Sequence, residues 1–290
     1  MADTVYSPRS SARLLDEAMD RAKGGPHRLI LGLSALVAVV SMTYTAFTVS
    51  ATAAVPTADL GAFALIGMLI MMPILLFAQF VVYALLAILA TNGVAGRDEN
   101  LSTALGLLFT PRVFFTLVLT GILVVISFFL LIVPGLVVSA LFSFIVPVLI
   151  LENQPVLDAL SRSSSLAWSN PKGRLRSAPL LVIMSGHTVF VALTTGLTLA
   201  LSLPVQIALQ YFTFRDLIGG GEELDASGAT IAAWLQIPVA GVGVVVTFYC
   251  FYYLCLFLAL FFFETREARE APSLEASVAS WSASEEPATP

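Results

Sequence analysis

Residues 113–151 read VFFTLVLTGILVVISFFLLIVPGLVVSALFSFIVPVLIL, 39 residues without a charge. As one helix this stretch would be about 58 Å long, roughly twice the hydrocarbon thickness of a bilayer. It must fold back on itself. The strong breaker inside it is Val133-Pro134-Gly135, so a tight hairpin is predicted there, between spans 3 and 4 of a membrane protein.

Working outward, the same reading finds four more spans. Residues 29–50 and 61–90 are the first two, the second with Pro73 near its middle as an expected kink. The run 29–50 is too long for a signal-peptide core, and four acids lie among the 28 residues before it. Span 5 is predicted from about Ser177 to Leu203, ending before Pro204. Span 6 is predicted from about Pro238 to Phe263, with Trp234 at the interface. Composition agrees: 58% of the 290 residues are hydrophobic and 11% charged, with mean hydropathy +0.92. A soluble domain carries about a quarter charged residues. The fold class is therefore all-α, a polytopic six-transmembrane-helix bundle with short interfacial amphipathic helices.

Six spans put both termini on one side, and the basic residues choose which. Thirteen of the fourteen Lys and Arg fall in the N-terminal segment, the 2–3 and 4–5 connectors and the tail; Arg215 alone falls opposite. By the positive-inside rule both termini are expected in the cytoplasm, with the chain in the cytoplasmic membrane. The organisation is then a cytoplasmic amphipathic segment (1–28), a six-span membrane domain (29–263) and a cytoplasmic tail (264–290). The tail, rich in Ala, Ser, Glu and Pro with six acids, reads as disordered. No basic patch suits nucleic acid.

The connectors carry amphipathic patterns. In SARLLDEAMDRAK (11–23), Leu14, Leu15, Ala18, Met19 and Ala22 share a face, and Gly24-Gly25-Pro26 ends the helix. LSTALGLLF (101–109) follows the polar stretch Arg97-Asp98-Glu99-Asn100. After Pro155, Val156, Leu157, Leu160, Ser164, Ala167 and Trp168 share a face, and Asp158 and Arg162 form an i,i+4 pair. Such helices either cover the ends of spans or lie in the interface as a surface for lipid head groups or a membrane-protein partner.

Few residues stand out as sites. Glu152 closes span 4 at the interface; it is expected to accept hydrogen bonds from the next helix's N–H groups or to pair with Arg174 or Arg176. The alternative is a proton or ion site. His187 falls near mid-membrane in span 5, where a polar residue faces the bundle interior. It is read either as hydrogen-bonded to another span through Gln79, Ser139 or Ser143, or as lining a cavity for a head group or substrate. Thr188, Ala192, Gly196 and Ala200 recur every four residues, a stripe that lets helix backbones approach in lipid. Cys250 and Cys255 face different sides of a helix and read as packed apolar residues.

The order of these pieces resembles the membrane domain found ahead of the catalytic domain in some glycerophosphoryl diester phosphodiesterases, and related six-span bacterial membrane proteins. Four stretches carry the likeness: LLDEAMDRAKGGPHRLILGL leading into span 1; IVPGLVVSALFSFIVPVLILE ending on Glu152; DALSRSSSLAW, with Ala159, Leu160 and Ser163 in family-like places; and LFFFETREAREAPSLE leaving span 6. The likeness covers residues 12–275. No phosphodiesterase-like stretch follows within the 290 residues, so the resemblance implies a fold and a location, not a reaction.

The sequence has no P-loop, HExxH, GxSxG or CxxC motif, and only His27 and His187 as histidines. No enzyme, metal or cofactor is expected. Two readings remain: a non-catalytic membrane module, a scaffold or lipid-interacting protein linked to envelope lipid metabolism, or a transporter or permease-like subunit. The spans hold no Asp, Glu, Lys or Arg, which favours the module.

Overall fold

The computed structural model describes residues 11–53, 58–168, 179–218 and 226–284. Its elements are helical: α1 (Ser11–Lys23), α2 (His27–Ala53), α3 (Ala58–Val94), α4 (Leu101–Leu108), α5 (Pro111–Leu130), α6 (Ile132–Leu141), α7 (Ile145–Pro147), a π-helical turn (Val148–Glu152), α8 (Val156–Trp168), α9 (Pro179–Ile218) and α10 (Ala226–Ser284). Six segments are long and apolar enough to cross a membrane: His27–Ser50, Ile66–Val94, Pro111–Leu130, Ile132–Glu152, Pro179–Ala208 and Trp234–Glu270. The chain is a six-span helical membrane protein.

The backbone departs from the predicted boundaries in four places. The turn between spans 3 and 4 lies at Leu131, which is extended (φ −167°, ψ 152°), not at Val133-Pro134-Gly135. Pro134 sits instead in the first turn of α6, where its missing N–H leaves no bond unmade. Gly135 is needed for a different reason: a Cβ there would run into the Phe128 ring across the hairpin. Second, α9 continues through Pro204 to Ile218, and α3 runs through Pro73; proline is tolerated within spans because local adjustment re-satisfies the freed carbonyl. Third, span 4 is not one helix. Pro147 cannot donate to the carbonyl of Ser143, and the helix breaks at Phe142–Phe144 before resuming. Fourth, the tail expected to be disordered continues α10 to Ser284. Ala, Glu and Ser in that stretch sustain a helix that is already nucleated by the span before it.

The chain divides into two compact units. Unit 1 comprises Met1–Gly25, Ala87–Thr188 and Tyr253–Pro290. In it α5 and α6 form an antiparallel pair, and α8 packs on α5, α6, α7 and the π turn. Phe144 is fully buried between Phe261 and Phe262, at ring-centroid distances of 6.0 and 5.8 Å. The break after α6 exposes a carbonyl, and Ser163 of α8 satisfies it: its Oγ donates to Leu141 O at 2.8 Å. Asn100 caps α4, its side chain accepting from Ser102 N at 3.2 Å. Leu14, Ala18 and Ala22 bury one stripe of α1, and Arg21 Nη1 reaches Val94 O at 3.4 Å.

Unit 2 comprises Pro26–Leu86 and Val189–Tyr252. Its core is aromatic: Tyr83 meets Phe248 at 4.8 Å and Phe251 at 4.5 Å, and Tyr252 is fully buried. Tyr249 donates its hydroxyl to His27 O at 3.2 Å. Gly241 does not break α10. It lets α2 approach, since a Cβ there would lie 2.8 Å from Met42 Sδ.

Candidate functional site

Glu152 is the last residue of the π turn, and Asn153 after it is left-handed (φ 55°, ψ 33°), a conformation asparagine tolerates. This abrupt ending turns the Glu152 carboxylate toward α8. Arg162 Nε and Nη2 donate to it at 3.0 and 3.2 Å, a bidentate fork. Arg266, from the end of span 6, stands 3.7 Å away. Glu270 joins the two arginines, accepting from Arg162 and, at 3.0 Å, from Arg266. Arg269 Nη1 donates to Ser165 Oγ at 3.0 Å.

Two more arginines hold the backbone of the same turn. Arg112 Nη1 donates to Asn153 O at 2.7 Å, and its Nη2 lies 3.4 Å from Leu149 O. Arg97 Nη1 lies 3.4 Å from Ile150 O. Cations at the carbonyl end of a helix are favourable. The side chain of Glu152 is only 7% exposed, and its fork holds the Arg162 guanidinium above its ordinary pKa.

This corrects the sequence reading of Glu152. Its partners are Arg162 and Arg266, not the N–H groups of α8. Arg174 and Arg176 lie outside the described residues. Arg162 likewise pairs with Glu152 and Glu270 rather than with Asp158. The packed face of α8 also differs from the expected one. Ala159, Ser163, Leu166 and Ala167 are buried, whereas Leu157 and Trp168 are 74% and 68% exposed.

His187 binds no other span among the described residues. Its Nδ1 lies 2.9 Å from Ile183 O in its own helix. Ser139 and Ser143 bond to carbonyls of their own segment. Thr188, Ala192, Gly196 and Ala200 are exposed along their length, and a Cβ on Gly196 would meet nothing within 4 Å. The stripe is not a helix contact among the described residues. Its small residues were read as an interface, but α9 turns other residues inward, such as Phe190 onto Phe251 at 5.9 Å.

A second polar feature was not anticipated as a site. Unit 2 encloses a cavity of about 420 Å³ lined by residues of α2, α3, α9 and α10, among them Gln79, Tyr83, Gln206, Gln236, Thr247 and Phe248. None of its lining residues is charged. The available signal was three glutamines in otherwise apolar runs.

Comparison with family models, with curated proteins and with solved structures finds no match. The local chemistry therefore carries the functional argument. Among the described residues no three His, Cys, Asp or Glu side chains are grouped to share a metal ion.

Proposed function

We propose that this chain is a non-catalytic membrane module of the cytoplasmic membrane, with both termini in the cytoplasm. In this reading it engages lipid at the cytoplasmic interface and serves envelope lipid metabolism as a scaffold. One observation carries the proposal. Helices α1 and α8 bury one stripe each and still present large apolar residues: Leu15 and Met19 on α1, Leu157 and Trp168 on α8. A helix that has met its packing needs and keeps a second apolar edge beside polar residues suits the membrane interface. The neighbouring arginine cluster, held by Glu152 and Glu270, adds the basic character that anionic head groups attract. The resemblance to the phosphodiesterase-associated membrane domain supports the same location.

The test uses Trp168 as a depth probe. With Trp234→Phe and Trp281→Phe in place, the protein is reconstituted with lipids brominated along the acyl chain. Strong quenching of Trp168 is expected, because bromine quenches at short range. Fluorescence unchanged from that in unbrominated lipid would overturn the interfacial assignment. The proposed topology is tested separately by reporter fusions at residues 55 and 222, which should report the outside.

A transporter or permease-like subunit is the second reading, favoured by the polar cavity in unit 2. Uptake of a solute into proteoliposomes separates it from the module.

A further inference from the structure

The unit 2 cavity is unusual for its surroundings. On α10 its lining runs from Gln236 to Phe248, about 18 Å of helix. Trp234, half exposed, precedes it at the start of span 6. The cavity therefore extends from an interfacial tryptophan along the inner part of a span, where each polar group must find a partner.

Its hydroxyls have partners. Thr45 donates to Ser41 O at 2.9 Å and Thr247 to Gly243 O at 2.8 Å; each bond uses the hydrogen and leaves the oxygen able to accept. Gln206 Nε2 lies 3.4 Å from Ser202 Oγ. Gln79 and Gln236 differ: neither side-chain amide bonds to any described residue. An amide left without a partner in a span is costly. Each amide offers two donors and one acceptor oxygen.

We infer that this cavity is a binding site for a neutral, hydroxyl-rich group of the sugar or polyol type, held by the amides of Gln79 and Gln236. Three properties select that chemistry. A hydroxyl both donates and accepts, which matches the mixed set of amides and threonine oxygens. A charged ligand would find no counter-charge in the lining and would lose its hydration uncompensated. Tyr83 and Phe248 supply aromatic faces, which offer broad apolar contact to the C–H side of a sugar ring. The volume falls in the range of small-molecule sites. The inference is independent of the lipid-facing edges of α1 and α8.

The group could arrive as a free sugar or as the head of a glycolipid, and two probes separate these sources. The purified protein in nanodiscs is titrated with D-glucose by calorimetry, and offered monoglucosyl diacylglycerol by native mass spectrometry. Saturable binding of at least one probe is expected; glucose alone identifies a free polyol, and the glycolipid alone a head group. Gln79→Leu/Gln236→Leu should weaken that binding at least tenfold without lowering the melting temperature, because it removes two unpartnered amides. If the pair does not fold, Gln236→Ala alone should give a smaller loss in the same direction. No saturable binding of either probe overturns the inference. So does undiminished binding by a folded variant, or displacement of the glycolipid by equimolar dioleoyl phosphatidate.

Discussion

At the end of span 4 each carboxylate oxygen of Glu152 has an arginine partner within 3.7 Å. In unit 2, Gln79 and Gln236 reach no described residue. Both regions place polar groups next to hydrocarbon, with opposite outcomes. A buried charge must be matched internally, because an unpaired one costs several kcal/mol. A neutral amide costs less to leave open, so it can be held ready for something from outside. Full internal matching marks a brace, and incomplete neutral matching marks a receptacle.

The comparison breaks first at the brace. Arg162→Leu should destabilise unit 1 by roughly 2–4 kcal/mol, since Glu152 is left nearly buried with only the more distant Arg266. Unfolding in mild detergent, read by helix content or protease resistance, measures it. Glu152→Leu/Arg162→Leu should recover part of the loss, because an apolar pair strands no charge. If the single and double variants fall equally, the ionic account is wrong.

The next test is steric. Gly241→Val should cost about 1–3 kcal/mol, through its collision with Met42. Gly196→Leu should change stability by no more than about 0.5 kcal/mol in dilute detergent, because its face is open. A large loss at Gly196 would show that the exposed stripe is covered.

A smaller effect is expected from pH. Burial raises the Glu99 carboxyl above its ordinary value. A raised carboxyl favours the folded state while protonated, so its contribution is fully present below the unfolded pKa and is lost as pH rises through the folded pKa. Thermal stability should therefore fall as pH is raised from about 4.5, and Glu99→Gln should flatten the curve. A wild-type profile that rises instead would reverse the assignment.

The smallest effect is at His187. Its only bond is to a carbonyl of its own helix, so His187→Leu strands no group on another span. The melting temperature should be unchanged to within what about 0.5 kcal/mol produces. A loss near the 1–3 kcal/mol of a stranded buried partner would mean the histidine bonds across spans after all.

Hydrophobic runs made the spans legible, because length and freedom from charge are properties of contiguous residues. Helices α1, α4 and α8 were legible for the same reason, from local periodicity. Helix ends were less so. Pro134 and Pro204 read as stops, yet one fits a first turn and the other is absorbed within a span. The site was least legible. Spacing along one helix suggests Asp158 for Arg162, whereas Glu152 lies before the helix and Arg266 more than a hundred residues later. Gln79, Gln206 and Gln236 belong to different helices, and only folding assembles them.

The π turn at Val148–Glu152 has an azimuthal consequence. It fits an extra residue into one winding of the chain. Deleting one residue there would restore ordinary winding and swing all that follows by about 100° around the axis. Glu152 would then point away from Arg162, although neither residue had changed. In this segment the count of residues aims the carboxylate, so an insertion or deletion of one should do more harm than most substitutions.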